Sequence, residues 1–419
     1  MNIFDQLLAD NQIPKFVRVR HEMDHSHIDD IEGAVAQAMR REGTLDRIKP
    51  GDSVCITAGS RDVANIARII RAICDQVKSV GAHPFIIPAM GSHAGAKAEG
   101  QRGIIEGYGV TEEAMGAPIR ASMDTEVIAH SKSGLEIHLD KFANAADFLI
   151  PVGRIKAHTD FRGEVESGIC KMLVIGMGKQ HGAYQCHKLG FKSMAANVKE
   201  FAGAIIEKKP NMFAIGLIEN AYHQTCRIEA IPAGRILAEE PPLLEYAKSR
   251  MAKVPFDQAD ILFVDETGKD ISGAGMDPNV TGRSPVLGIS RPFFQRIAVF
   301  DLTDKSHGNF GGLGSADVTT QRLYRKIDFE QTYPNGITAA EPAVMPSDRT
   351  AMQFALRTAT DCDWEKGPRI VWLKNTLSLS EFYISEALIP DAEALDNVTI
   401  VSEPMEVIFD EEGNVKELR

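Results

Sequence analysis

The sequence predicts an α/β protein built from two α/β domains with mostly parallel sheets and an active-site cleft between them. The chain has 419 residues, more than a single domain usually contains, and β-rich runs alternate with amphipathic helices along it. The composition also changes near residues 253–260, after a polar helix. We therefore predict an N-terminal domain of residues 1–255 and a C-terminal domain of residues 256–419.

The first elements of the N-terminal domain follow the strand–helix–strand order of a parallel sheet. Residues 53–57 form a β-rich run, isoleucines recur at helical spacing over residues 62–81, and residues 83–90 form the next strand candidate. In parallel sheets, ligands bind at the loops beyond the carboxyl ends of the strands. Arg61 and His93 each occupy such a loop, so both are candidate site residues.

Strand candidates continue along the rest of the chain. They are residues 146–156, 211–220, 259–268, 296–301 and 369–374. The first of them leads into the loop that carries His158. We find no internal repeat and no low-complexity segment.

Composition and charge narrow the classes of function. The formal net charge is −12 and no basic run stands out, which disfavours nucleic acid as a partner. No stretch approaches the roughly 20 apolar residues that span a bilayer, and the N-terminus lacks the pattern of a signal peptide. The six cysteines include no CxxC pair, as expected of reduced thiols. We expect a cytoplasmic protein that acts on a small molecule, away from membranes.

The stretch Gly168–His187, GICKMLVIGMGKQHGAYQCH, contains a lysine at the edge of an apolar run. Lys171 precedes the run Met172–Met177, and lysine is rarely buried without a partner. Desolvation would free its amine as a nucleophile or attachment point; alternatively, its stem packs while its amine reaches water. The spacing of His181 and His187 does not place both on one helical face, so at most one is expected to bind a metal.

Three further polar residues are candidates, and each has a structural alternative. Arg61 could bind a carboxylate or phosphate through paired N–H donors, or it could pair with a surface carboxylate. His93 and His158 could each act as a general base, or could be inert loop histidines. Asp160 could orient the ring of His158, from which it is two residues away.

Together these residues resemble the nickel-dependent lactate racemase family. Their order and spacing agree with that family to within a few residues, densely in the N-terminal half and loosely in the C-terminal half. The matching positions are Gly59-Ser60-Arg61, Gly91-Ser92-His93, His158, Lys171 with Ile175-Gly176, and His187.

The resemblance implies a cofactor, the nickel-pincer nucleotide (a pyridinium-3-thioamide-5-thiocarboxylic acid mononucleotide that carries nickel). Lys171 matches the lysine that is joined to it covalently through the thioamide. His187 matches the histidine that completes the nickel coordination, with His181 as the alternative. Arg61 matches an arginine near substrate and cofactor. The enzymes that make the cofactor would then be partners of this chain.

The resemblance also implies an activity, namely inversion at C2 of a 2-hydroxy acid by a racemase or epimerase. His93 and His158 match the paired acid–base histidines of the family. A histidine is too weak a base to remove the C2 proton beside an ionised carboxylate. Hydride transfer to a pyridinium-like ring avoids that carbanion and leaves the histidines only the hydroxyl proton.

The C-terminal half departs from the family where the family binds lactate. A glutamine and a lysine follow the Lys–Asp pair of the family, but neither follows Lys269-Asp270 here, and Ala58 replaces an acidic residue. Polar groups left unpaired by a small apolar substrate would disfavour lactate. We therefore predict a polar or sugar acid, an aldonate such as gluconate. Thr281 is a further hydrogen-bonding residue in this segment, and the predicted substrate residues are Arg61, Asp277, Asn279 and Arg283.

Other functions stay open at this point. The chain could be a malate or lactate racemase of the same family, or a metal-dependent hydrolase or lyase that uses His187, although it has no HExxH-like element. It could also be a non-catalytic cofactor-binding homologue, but such a protein has no need of Lys171 as a covalent attachment point. A nicotinamide-dependent dehydrogenase is disfavoured because no GxGxxG follows the first strand.

Overall fold

The structure is a computed structural model that describes residues 3–60, 62–188, 190–284, 291–333 and 340–419. The chain forms two compact units. One contains residues 24–251, and the other contains residues 1–23 together with residues 252–419. The predicted N-terminal domain covered residues 1–255, whereas residues 1–23 belong to the same unit as residues 252–419.

The described residues contain the following elements in chain order. The strands are β1 Phe16–His21, β2 Ser53–Ala58, β3 His83–Pro88, β4 Thr125–His130, β5 Glu136–Asp140, β6 Phe148–Ile150, β7 Val152–Arg154, β8 Phe213–Glu219, β9 Thr225–Pro232, β10 Gln258–Thr267, β11 Phe293–Leu302, β12 Val318–Thr320, β13 Ala343–Met345, β14 Ile370–Leu373, β15 Glu381–Ser385, β16 Val398–Ile400, β17 Val407–Phe409 and β18 Val415–Leu418. The α-helices are α1 Ile3–Leu8, α2 Ile31–Ala38, α3 Ile66–Ser79, α4 Ala98–Gly107, α5 Glu112–Met115, α6 Lys141–Ala145, α7 Ile169–Lys171, α8 Lys179–His187, α9 Met194–Lys208, α10 Ile236–Arg250, α11 Pro278–Thr281, α12 Gln321–Tyr324, α13 Phe329–Thr332, α14 Asp348–Thr358 and α15 Ile389–Glu393.

The unit of residues 24–251 is built on parallel strands. β2 pairs in parallel with β3 on one side and β6 on the other, while β7 pairs in parallel with β8 and β9 runs antiparallel to β8. Only Pro151 separates β6 from β7, and its carbonyl accepts a hydrogen bond from Ile215 N, so the two strands continue one another. Proline has no N–H to donate, which explains the break between them.

Helix α3 shows why this unit folds as predicted. Ile66, Ile69, Ile70 and Ile73 recur at helical spacing, and all four side chains are buried in the core that α3 shares with β2. Burying each such side chain contributes about 1.5–3 kcal/mol. A second core lies beneath residues 169–177 and includes helix α9.

The other unit contains an eight-stranded sheet in the order β13-β12-β11-β10-β14-β15-β1-β16. The strands from β13 to β14 are parallel, and β15, β1 and β16 add antiparallel pairings. Strand β1 lies between β15 and β16, which is why residues 1–23 belong to this unit. The prediction of an α/β fold with mostly parallel sheets is therefore confirmed.

Three loops at the carboxyl ends of parallel strands in the unit of residues 24–251 carry candidate site residues. Ser60 follows β2, His93 follows β3, and His158 follows β7. Lys171 ends helix α7, and a π-helical turn, Met172–Gly176, comes directly after it. A π-helical turn of this kind is rare and often occurs at functional sites. Throughout the described part of the chain, every helix is too short or too polar to cross a membrane.

Candidate active site

The amine of Lys171 and the ring of His158 form the centre of the candidate site. Lys171 Nζ lies 2.5 Å from His158 Nε2, and His158 is only 9% exposed. The His158 ring also stacks on Phe161, with ring centroids 4.2 Å apart. The structure therefore brings together two residues that the sequence placed in separate motifs.

Hydrogen bonding fixes which nitrogen of His158 carries a proton. The backbone N–H of Asp160 donates to Nδ1 over 2.9 Å, so a neutral ring carries its proton on Nε2, the nitrogen that faces Lys171. The ring of His158 therefore presents its Nε2 to the amine that is the candidate attachment point.

Charge and burial act on His158 in the same direction. Burial lowers the pKa of His158 well below its ordinary value, and the positive charge of Lys171 lowers it further. Lys156, Arg162 and His187 add smaller effects of the same sign. The ring therefore stays neutral at physiological pH.

A hydroxyl group orients His93, the second candidate base. Ser60 Oγ lies 2.5 Å from His93 Nδ1, and the two residues come from neighbouring loops after β2 and β3. A partner at Nδ1 fixes the orientation of the ring and directs Nε2 away from Ser60. The contact of Ser60 with His93 was not predicted from the sequence.

Close packing against glycines brings these loops onto the segment that follows Lys171. A Cβ atom on Gly59 would lie 3.2 Å from Met172 Cε, and one on Gly91 would lie 3.0 Å from Ile175 Cγ2. Gly91 also has a positive φ of 62°, which glycine adopts without strain. A Cβ on Gly176 would lie 2.9 Å from the carbonyl oxygen of Ala89. The glycines of the three motifs therefore allow the loops to meet.

His187 has the geometry of a metal ligand. Its Nδ1 lies 2.5 Å from the carbonyl oxygen of Ala183 in the same helix, and because a carbonyl can only accept, Nδ1 must carry the proton. Nε2 is then the basic nitrogen of the neutral ring, the kind of nitrogen that binds metal ions. Desolvation lowers the pKa of His187, and the charge of Lys171 lowers it further, which favours this neutral form.

His181, the alternative ligand, lies in a different environment. Its ring packs edge-on against His138, with centroids 5.4 Å apart, and its Nδ1 lies 3.3 Å from Thr125 Oγ1. The charge of Lys171 affects both His158 and His187, whereas His181 interacts with His138. Across the described ranges, no three His, Cys, Asp or Glu side chains form a group that could hold a metal ion by themselves.

The sequence analysis missed a fully buried lysine in this unit. Lys179 and Asp140 are both 0% exposed, with 3.2 Å between Nζ and Oδ2, and Lys179 also donates to the carbonyl of Pro88. Asp140 accepts through Oδ1 from Phe142 N and Ala143 N at the start of α6. Local sequence gave no sign of this pair, because its members lie on elements that meet only in the folded unit.

The remaining predicted residues are not part of the geometry described above. Arg61 lies outside the described residues. Asp277, Asn279 and Arg283 belong to the unit of residues 1–23 and 252–419. There Asp277 accepts hydrogen bonds from the backbone N–H and the side-chain amide of Asn279. Arg283 donates to Asp317 over 2.5 Å and to the carbonyls of Phe294 and Gln295.

The fold and the site define a class of protein: an α/β domain whose loops after parallel strands carry His93 and His158, with the amine of Lys171 against the ring of His158. Residues 4–198 match the family model described as the lactate racemase N-terminal domain, a range that includes Lys171 and His93, His158 and His187. This part of the chain is therefore similar to the lactate racemase N-terminal domain.

Comparison with individual proteins adds one solved structure. The lactate racemase apoprotein from Thermoanaerobacterium thermosaccharolyticum is similar over 81% of this chain and 79% of its own, with 16% sequence identity and a TM-score of 0.46. No curated protein matches the chain.

Proposed function

We propose that the protein is a racemase or epimerase that inverts C2 of a 2-hydroxy acid with the help of a nickel-pincer nucleotide attached to Lys171. The match of residues 4–198 to the lactate racemase N-terminal domain supports a racemase-type activity and thus an isomerase. The contact between Lys171 Nζ and His158 Nε2 is the observation on which the proposal mainly depends, because it combines an attachment point and a base in one site.

The residues of this chain fit the cofactor in two respects. Lys171 places its amine against the ring of His158 at the centre of the site, and the proton on Nδ1 of His187 makes Nε2 the basic nitrogen of that ring. Lys171 would hold the nucleotide and His187 would complete the metal coordination, while Arg61 is proposed to contact substrate and cofactor. When bound, the group would supply a hydride acceptor and donor for C2 of the substrate.

The two histidines would exchange the hydroxyl proton. His158 is neutral because burial lowers its pKa, and it would accept a proton once its hydrogen bond from Asp160 N is released, while His93 is oriented by Ser60. A 2-hydroxy acid that has lost both hydrogens is a planar 2-keto acid, which can be reduced on either face. One histidine for each orientation of the hydroxyl would allow a full inversion.

The proposed substrate is a polar or sugar acid, an aldonate such as gluconate, rather than lactate. The support is the set of hydrogen-bonding residues at positions 277–283, of which Asp277 and Asn279 contact one another. Arg283 is already engaged by Asp317 and two carbonyls, so we propose Arg61 alone as the residue that binds the carboxylate. Malate and lactate racemases remain the competing proposals.

Isotope labelling of a panel of 2-hydroxy acids tests the proposal. The chain, produced together with the cofactor-making enzymes, is incubated with gluconate, malate and lactate that carry deuterium at C2. We expect inversion of gluconate with the deuterium retained over many turnovers in ordinary water. Rapid exchange of the label with solvent would contradict hydride transfer, and a clear preference for lactate would contradict the assignment of the substrate.

A further inference from the structure

Helix α10 is linked to the two chain segments that carry the reactive residues of the site, directly to one and through Glu166 to the other. Glu240, Leu244 and Lys248 recur every four residues, so they lie along one face of the helix. Glu240 and Leu244 are buried, and Lys248 is partly buried. The two polar residues at the ends of this row interact with the segments that carry Lys171 and His158.

Glu240 binds the helix that ends at Lys171. Its Oε2 accepts a hydrogen bond of 2.8 Å from Cys170 N, next to Lys171 in sequence. The carboxylate packs so closely that a Cβ atom on Gly168 would lie 2.1 Å from Oε1, so only glycine fits there. The position of α7, and with it the origin of the Lys171 side chain, therefore depends on Glu240.

Lys248 reaches His158 through a second buried carboxylate. Lys248 Nζ lies 3.0 Å from Glu166 Oε1, and Glu166 Oε2 accepts a hydrogen bond of 2.7 Å from His158 N. Glu166 is 0% exposed. The backbone of His158 is thus connected to α10 through Glu166. This connection at Lys248 lies two helical turns after Glu240, which contacts the segment of Lys171.

Stability alone does not explain the buried carboxylate of Glu240. Glu240 is 0% exposed, its Oε1 has no hydrogen-bond partner, and within the described residues it has no cationic partner. A buried carboxylate in this state costs free energy that an apolar residue would not. Such costs are typical of groups that hold a functional arrangement in place.

We propose that Glu240 and Lys248 are positioning residues that together set the contact between Lys171 and His158, Glu240 acting through the α7 backbone and Lys248 acting through Glu166. The meaning of this contact for catalysis rests on the proposed function, but the geometry can be tested without it. Neither residue touches the reacting groups directly.

The test follows the ring of His158 by nuclear magnetic resonance in the full chain without cofactor, labelled at histidine. In Glu240→Ala, Lys171 should move away from His158, and the pKa of His158 should rise by about one unit or more because a like charge has receded. Asp160, Lys156, Arg162 and His187 also act on this ring and are unchanged in every variant. Glu240→Gln keeps an oxygen that accepts from Cys170 N and should restore the wild-type titration.

Two neighbours on the same helix are matched controls. Glu239 pairs with Arg41 and Arg235, and the exposed Glu245 pairs with Lys248 without contacting the site. Alanine at either position should leave the His158 titration unchanged. If Glu240→Ala does not fold, Lys248→Met, which leaves no large cavity, should raise the His158 pKa in the same direction.

A folded Glu240→Ala or Lys248→Met variant with the wild-type titration would overturn the proposal, as would equal shifts in the two controls. This result is independent of the proposed function. If the wild-type chain never acquires the nucleotide, the proposed racemase function is contradicted, but the positioning role of Glu240 and Lys248 is not.

Discussion

Lys171 and Lys179 lie eight residues apart in one unit, yet their surroundings differ in a way that separates function from stability. Lys179 is fully enclosed with Asp140 and the carbonyl of Pro88, and nothing in that arrangement faces an incoming molecule. Lys171 is only partly buried and faces the imidazole of His158 instead of a carboxylate. Burial lowers the pKa of Lys179, opposed by the nearby carboxylate of Asp140, whereas the Lys171 amine lies against an imidazole ring in a partly buried position.

The largest expected effect concerns turnover in the Lys171 region. His93→Ala and His158→Ala should each lower the rate of racemisation by about 10²–10⁴-fold, because each removes a general acid–base group. Polarimetry of a single stereoisomer measures this rate. One half of the reaction, from one stereoisomer only, should survive in each variant. Wild-type racemisation in either variant would contradict the assignment of two bases.

The next effect concerns stability in the Lys179 region. Lys179→Met leaves the buried carboxylate of Asp140 without its partner and should reduce the free energy of unfolding by about 3–5 kcal/mol. Lys171→Ala should change it by less than about 1 kcal/mol. Denaturant unfolding measures both values. The double variant Lys179→Met with Asp140→Asn should recover part of the loss, and similar losses at the two lysines would remove the contrast between them.

A smaller effect separates the two histidines of helix α8. His187→Ala should reduce the nickel retained per chain by about tenfold or more, the loss of affinity expected when a protein ligand or its support is removed. His181→Ala should retain the wild-type content, because His181 packs with His138. Elemental analysis after gel filtration measures the nickel. Equal losses of nickel in both variants would contradict the choice of His187 over His181 as the nickel ligand.

The smallest effect is the pH dependence contributed by His158. Its pKa is lowered in the folded state, so below about pH 6.5 the unfolded chain binds more protons and the free energy of unfolding falls with decreasing pH. The fall continues until the folded-state pKa is reached, with a slope of at most about 1.4 kcal/mol per pH unit for this residue. His158→Gln should therefore have a shallower pH dependence than the wild type in that window, and an unchanged slope would contradict the burial of a neutral ring.

The sequence predicted the elements whose signals are local. The isoleucines of α3 and the β-rich runs of β2, β3, β10 and β11 have periodicities that follow from which side chains are buried, so their positions agree with the structure to within a few residues. The rule for parallel strands also predicted that the loops with Ser60, His93 and His158 would lie at the carboxyl ends of strands. These features need only neighbours in sequence or a general rule of topology.

The features that the sequence did not predict depend on distant contacts. The pairing of β1 with β15 and β16 joins residues more than 350 positions apart, and no periodicity reports it. The Lys179–Asp140 pair and the contact of Glu240 with Cys170 likewise join separate elements. Lys171 was predicted to be unusual because it adjoins the apolar run Met172–Met177. Lys179 is fully buried but was not predicted, because it lies just beyond that run.

Mass spectrometry of the chain produced with and without the cofactor-making enzymes tests the central claim most directly. We predict that the loaded chain gains the mass of the nickel-pincer nucleotide, that peptide mapping places the increment on Lys171, and that Lys171→Ala folds but gains none. Lys179→Met serves as the control, since any folded fraction should still acquire the increment. A wild-type chain without the increment, or an increment on a lysine other than Lys171, would contradict the account.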